Sequence, residues 1–177
     1  EGEEVEVPIC IEENAKVQAA VDYLKDVIEK MGVQDVSFSA VQKGEATIIR
    51  LNGEKMGALI GRRGETLDAI QHLTNYAVNR GSDKHMHISV DAESYRAKRE
   101  ESLVRLAEKM AAKAVKYKRS MALEPMNSYE RHVIHTALQD YEGVTTSSTG
   151  TEPNRRVVVS YEKPQRTSNK PVSREWS

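Results

Sequence analysis

The chain has one cysteine, one phenylalanine and one tryptophan among 177 residues, with five prolines, and aromatics make up only 5% of it. A lone Cys10 excludes an internal disulfide and fits a reducing compartment. No run of apolar residues approaches the length needed to cross a bilayer, and the opening "EGEEVEVPIC" has neither the basic nor the apolar region of a secretion signal. A cytoplasmic protein without membrane insertion is the expectation. Glu1 stands where a methionine would begin a full chain, as expected of a piece cut from a longer protein with a module upstream. The net charge is −1, so no uniform positive field surrounds the molecule, and any nucleic-acid partner must be held locally. Motifs of catalysis are missing too. No G-x-x-x-x-G-K-[ST] or G-x-G-x-x-G follows a strand, and no G-x-S-x-G elbow occurs. An enzyme is not expected, and nothing calls for a cofactor. His85 and His87 would share one strand face, but without a nearby third ligand they read as surface histidines, not a metal site.

What is present is charge sorted along the chain and a clear order of elements. Residues 1–30 hold nine acidic and three basic side chains, and residues 96–119 hold nine basic and three acidic. Such segregation can steer a polyanion to one face, or can simply be the solvated side of an amphipathic helix. "NAKVQAAVDYLKDVIEKM" spaces Val17, Val21, Leu24 and Ile28 by three and four, which predicts a helix from about Asn14 to Gly32. "DVSFSAVQ" and "ATIIRLN" alternate and meet at Lys43-Gly44, a hairpin. "EKMGALI" reads as a short helix and "ETLDAIQHLTNYAVNR" as a longer one, with Leu67, Ile70, Leu73 and Ala77 on its inner face. "HMHISVD" reads as a third strand. Then come a long helix over 92–118, with Asp91 as its N-cap and a stripe of Leu103, Leu106, Met110 and Ala114, and a helix from Asn127 to about Tyr141. The latter opens with capping-box spacing between Asn127 and Glu130. "VTTSSTGTEPNRRVVVSYE" predicts two or more strands around a turn, and the proline-containing end predicts a disordered tail. No internal repeat is visible.

Between the two middle helices stands Gly61-Arg62-Arg63-Gly64. Glycine at both ends permits positive φ and close approach of a ligand to the backbone. The helix beginning near Glu65 turns its unpaired N–H groups toward the loop, a place suited to an anion, and two guanidiniums suit phosphate oxygens. On its own a G-x-x-G tetrapeptide is a weak signal and reads sooner as a plain helix-turn-helix connection, its glycines a C-cap and a turn. Together with the α-β-β-α-α-β order, however, "LIGRRGETLDAIQHLTNYAVNR" resembles the signature of a type II KH domain. That resemblance implies a loop clamping the backbone of about four unpaired nucleotides while their bases lie over an apolar groove. Further along, "LEPMNSYERHVIHTALQ" followed by "TTSSTGTEPNRRVVV" resembles the Arg-x-x-x-His single-stranded nucleic-acid-binding domain, with Arg131 and His135 as its named pair. The two are one above the other on a helix and border its buried side, polar tips outward. Arg155 and Arg156 sit on the strand after the turn, and at most one of two adjacent strand residues can join that surface.

The two motifs in this order are similar to one family, the Jag (SpoIIIJ-associated, also KhpB or EloR) proteins of bacteria. The fold class so implied is α+β: a type II KH domain over 14–91, then a small α/β Arg-x-x-x-His domain over 92–162. An acidic segment or linker end precedes them over 1–13, and a disordered tail follows over 163–177. The contact set is Lys55, Ile60, Gly61, Arg62, Arg63 and Gly64 in the first domain, and Arg131, His135, Arg155 and Arg156 in the second. The resemblance implies a cytoplasmic single-stranded RNA-binding regulator tied to envelope growth. It also implies pairing with a small single-KH protein, with a homodimer as the other form of association. Two alternatives stay open: a protein-interaction scaffold with little nucleic-acid binding, and a preference for single-stranded DNA.

Overall fold

A computed structural model describes residues 5–163. The expected tail, Lys163 excepted, lies outside the described residues, as do residues 1–4. The chain divides into two compact units between Arg99 and Glu100.

The first unit has the α-β-β-α-α-β order with one strand added in front. The added strand is β1 (Val7–Ile9). After it come α1 (Ala15–Lys30), β2 (Ser37–Lys43), β3 (Ala46–Asn52), α2 (Gly57–Ile60), α3 (Glu65–Asn79) and β4 (His87–Ala92). The strands form one sheet in the order β1-β2-β3-β4, antiparallel except for the β3–β4 pair, which is parallel. Asn14 caps α1 by accepting from the amides of Lys16 and Val17. The side chains of Val21, Leu24 and Ile28 on α1, Ile49 and Leu51 on β3, Leu59 on α2, Leu67 and Ile70 on α3, and Ile88 and Val90 on β4 fill the core.

Three sequence expectations change here. The acidic segment is not merely a linker end: Val7, Pro8 and Ile9 pair with Gln42, Val41 and Ala40, and Ile11 packs on the core. Glu6 also receives two hydrogen bonds from the Arg50 guanidinium, at 2.8 and 2.6 Å. The buried face of α3 is Leu67, Ile70 and Thr74, whereas Leu73 is 49% exposed and Ala77 is also outside. Thr74 can be inside because its hydroxyl donates to the Ile70 carbonyl at 2.7 Å, satisfying it within the helix. Asp91 is no cap: it lies in β4, paired with Arg50 of β3, and the long helix begins only after Glu93 and Ser94 have turned the chain with positive φ.

That helix is α4 (Tyr95–Tyr117). The second unit continues with β5 (Met121–Ala122), α5 (Ser128–Ala137), β6 (Val144–Thr149) and β7 (Arg156–Tyr161), the strands in the order β5-β7-β6. The buried stripe of α4 is Leu103, Ala107, Ala111 and Ala114, one step around from the expected one. Leu106 and Met110 are its half-buried margin. Small side chains on that stripe let α4 come close to Ile134 and Leu138 of the α5 region and Val157 and Val159 of β7. Asn127 caps α5 by accepting from the Glu130 amide at 2.8 Å, and the helix ends at Ala137, ahead of Tyr141.

Candidate nucleic-acid interface

Gly61 and Gly64 both have positive φ, 71° and 78°, and Arg63 between them is left-handed at 55°. The reason for glycine is internal. A Cβ on Gly61 would lie 2.0 Å from Thr66 Oγ1, and one on Gly64 would lie 2.6 Å from Tyr95 Cε1. The faces expected to admit a phosphate chain are thus filled by the protein's own Thr66 and Tyr95. Two loop amides are also spent internally, Gly61 on the Gly57 carbonyl at 2.9 Å and Gly64 on the Gly61 carbonyl at 3.5 Å. Gly64 is buried, Arg63 half-buried and Arg62 exposed. What the loop offers to solvent is above all the Arg62 side chain. Lys55 is exposed in the turn before α2, and Ile60 is half-buried against the core. Glu65 and Asp68 occupy the first turn of α3, where they compete with any anion for the positive end of the helix, though Arg96 Nη2 holds Asp68 Oδ1 at 2.7 Å.

From Asp68 onward a groove of about 760 Å³ runs between α3 and β4. His72, Tyr76, Arg80, His85 and His87 line it, and Tyr76 is 66% exposed. Its floor is a ladder of amides. Asn75 donates to the Ile88 carbonyl and accepts from the Ile88 amide, at 2.6 and 2.9 Å. Asn79 does the same for Met86 at 2.8 and 2.7 Å, and Gln71 accepts from the Val90 amide at 2.9 Å. Arg96 donates to the Val90 carbonyl. The match is geometric: four helical residues rise about 6 Å and two strand residues about 6.6 Å, so amides at i, i+4 and i+8 meet every second strand residue. The loop at the far end is held by Lys16, whose Nζ donates to Ser82 Oγ at 2.7 Å and to the Lys84 carbonyl. Sequence reading missed this ladder and the residues that line the groove. The spacing of Gln71, Asn75 and Asn79 was its one visible signal.

In the second unit Arg131 and His135 both face the β6–β7 hairpin. Arg131 does not keep its expected outward polar tip. It is 7% exposed, donates to the Met126 carbonyl at 2.8 Å and pairs with Glu152 at 2.6 Å. His135 Nδ1 and Nε2 lie 2.7 and 2.8 Å from the hydroxyls of Thr146 and Ser148. Burial lowers the pKa of His135 from its ordinary value, and the nearby His132 and Arg131 charges act in the same direction. A neutral imidazole, one nitrogen donating and the other accepting, therefore pins α5 to β6. Thr146 and Ser148 stand opposite Val159 and Val157, so His135 is on the core face of the sheet. Arg156, paired with Thr149, points to the other face. Arg155 is exposed just ahead of β7, and its carbonyl accepts from the Met126 amide at 3.1 Å.

Among the described residues no group of three or more histidine, cysteine or acidic side chains could hold a metal ion, and no helix is long and apolar enough to cross a membrane.

Fold and site together define a two-domain α+β protein in which a KH domain is followed by an Arg-x-x-x-His domain. Residues 18–90 match the family described as KhpA/KhpB, KH domain, and residues 101–161 match the family of the Arg-x-x-x-His domain. The chain belongs to the KhpB (Jag) family. It is 40% identical to the RNA-binding protein KhpB of Bacillus subtilis (strain 168) over 157 residues, covering 86% of this chain and 74% of that protein. It is 40% identical to the RNA-binding protein KhpB of Clostridium symbiosum over 148 residues, 83% of this chain and 67% of that one. Against the RNA-binding protein KhpB of Streptococcus pneumoniae serotype 2 (strain D39) identity is 33% over 162 residues. Those residues make up 91% of this chain but only 48% of the pneumococcal protein.

Proposed function

We propose that this chain binds single-stranded RNA, its phosphate backbone held at the Arg62-Arg63 tip and its bases laid along the α3–β4 groove. The observation that carries the reading is the adjacency of the two. The groove starts at Asp68, one helical turn past Gly64, and is lined by a tyrosine, an arginine and histidines. Aromatic and guanidinium planes stack on unpaired bases, and each such contact contributes about 1–3 kcal/mol. The relatives named RNA-binding proteins support the choice of ligand. In this reading Lys55 adds charge beside the clamp and Ile60 holds α2 in place. Arg131 and His135 set the shape of the second domain's surface, to which Arg155 and Arg156 bring charge on separate faces. The biological role is that of a cytoplasmic post-transcriptional regulator linked to envelope growth, without catalytic activity. Pairing with a small single-KH protein, or with a second copy, is supported by a family description that names KhpA beside KhpB.

One observation favours the scaffold instead: both glycines are explained by Thr66 and Tyr95, and Arg131 by Glu152, without any ligand. Arg62→Asp with Arg63→Asp separates the two. With the fold verified by circular dichroism, the clamp predicts a large loss of RNA affinity and a log–log salt slope shallower by about 0.7 for each phosphate contact removed. Unchanged affinity, or a salt response flat from the start, selects the scaffold. Competition between matched RNA and DNA oligonucleotides decides the preferred sugar.

A further inference from the structure

Helix α4 carries its charge in an order that the Arg62-Arg63 clamp leaves unused. In its second-unit portion Arg105, Lys109, Lys113 and Lys116 recur at intervals of four, four and three residues, and all four are exposed. At about 100° per residue they fall within a sector of roughly 80°, directly opposite the buried stripe of Leu103, Ala107, Ala111 and Ala114. The row is about 16 Å long. Glu101 and Glu108 lie outside this sector, on one flank. Glu101 pairs with Arg105 across one exposed turn, a contact of little strength. Among the described residues Lys109, Lys113 and Lys116 have no acidic partner, and Lys116 lies over the ring of Tyr117, itself 54% exposed. In a chain whose net charge is −1, a row of this kind exists only because the charges are sorted.

We infer that this row of cations on α4 is a second seat for RNA, independent of base sequence, gripping the phosphates of a strand longer than the Gly61–Gly64 clamp covers. The inference rests on the RNA-binding reading above and extends it to a surface outside both motifs. Four observations select the ligand class. The row is made mainly of lysine, a point charge suited to phosphate and depleted in protein–protein interfaces. Between Arg105 and Lys116 the other exposed residues are Glu108 and Ala112, and the exposed Tyr117 lies alone at the end under Lys116, so the row has no apolar cluster to anchor a folded partner. Nor can α4 lie in a membrane surface, because its apolar face is already committed to the core. A regular line of cations whose rise is about 6 Å from Arg105 to Lys109 and again to Lys113 suits an extended polyanion.

The test is Lys109→Gln, Lys113→Gln, Lys116→Gln in the full chain, with the triple Lys→Arg variant as the charge-preserving control. Glutamine keeps helix propensity on an exposed face, so the fold should stand. Two probes are compared, an oligouridylate of four nucleotides, the length a KH clamp covers, and one several times longer. The expected result is unchanged affinity for the short probe, and for the long one a salt slope shallower by about 2 and an affinity lower by about a hundredfold near 0.1 M salt. The arginine variant should match the native chain. An unchanged long-probe slope overturns the inference. If the native chain ignores the short probe yet the long-probe slope still falls, the clamp has failed and the α4 seat survives. Vesicles rich in phosphatidylglycerol form the last arm: loss of vesicle binding in the glutamine variant, with RNA binding intact, assigns the row to lipid and overturns the inference.

Discussion

Replacing Gly64 with alanine tests whether the loop's glycine is a requirement of packing. The new Cβ would carry two penalties. At φ 78° a side chain costs about 1–2 kcal/mol through its contact with the backbone. It would also sit 2.6 Å from Cε1 and 3.4 Å from Cδ1 and Cζ of Tyr95, and overpacking of this kind costs about 1–3 kcal/mol. The total, about 2–5 kcal/mol, is a large part of what holds a small domain together. The two penalties separate in a double-mutant cycle. In a Tyr95→Ala background only the backbone penalty remains, so the substitution should become less costly by about 1–3 kcal/mol. Tyr95→Phe keeps the same ring carbons and should give no relief. Because two units unfold in one chain, a single denaturation curve mixes them, and hydrogen exchange of α3 amides in increasing urea is the suitable assay. Gly57→Ala, with nothing within 4 Å of its Cβ, serves as the control and should be neutral or slightly stabilising. Equal cost for Gly64→Ala with and without the Tyr95 ring would refute the packing argument.

Asn75→Ala removes both bonds to Ile88 and leaves an N–H and a C=O at the edge of β4 unpaired. A cost of about 1–3 kcal/mol is expected, and the Ile88 amide should exchange much faster, whereas unchanged protection would show that the ladder seals nothing. His135 predicts the pH response of the second unit. Its folded pKa is lowered, so below the ordinary value of about 6.5 the unfolded chain takes up a proton that the folded chain refuses, and stability falls as pH drops through that window. The contribution is complete above about pH 6.5 and stops declining once the folded form is protonated too. Exchange of β6 amides at about pH 7.5 and 5.5, in the native chain and in His135→Gln, reads it, and the glutamine variant should lose that part of the slope.

Local rules found the elements, and distant contacts decided the exceptions. The run from Asn14 to Ile28, the Lys43-Gly44 hairpin and the Asn127 cap are written within a few residues of each other, and the structure has all three. β1 is three residues long, contains Pro8 and follows an acidic stretch, so it has no alternation to read. It exists because β2 offers an edge and Arg50 takes up Glu6. The same holds for the site. That Gly61-Arg62-Arg63-Gly64 would be a loop between helices was visible, but Tyr95 is thirty-one positions beyond Gly64 and no spacing rule links them. Arg131 looked like a helix-surface residue because its partners, Met126 and Glu152, come from a connection and from the turn ahead of β7.

The amide ladder on α3 has a consequence for how KH units can meet. Endless growth by joining sheets demands two open borders on every first unit, and here Gln71, Asn75, Asn79 and Arg96 have closed the β4 side, which among the described residues leaves the opposite border, β1 and the part of β2 that β1 does not cover, to be copied. Two such units that zip border to border have nothing further to offer a third. Edge pairing through this sheet therefore terminates at a pair, and any further growth by strand pairing falls to the second unit, whose sheet ends at β6.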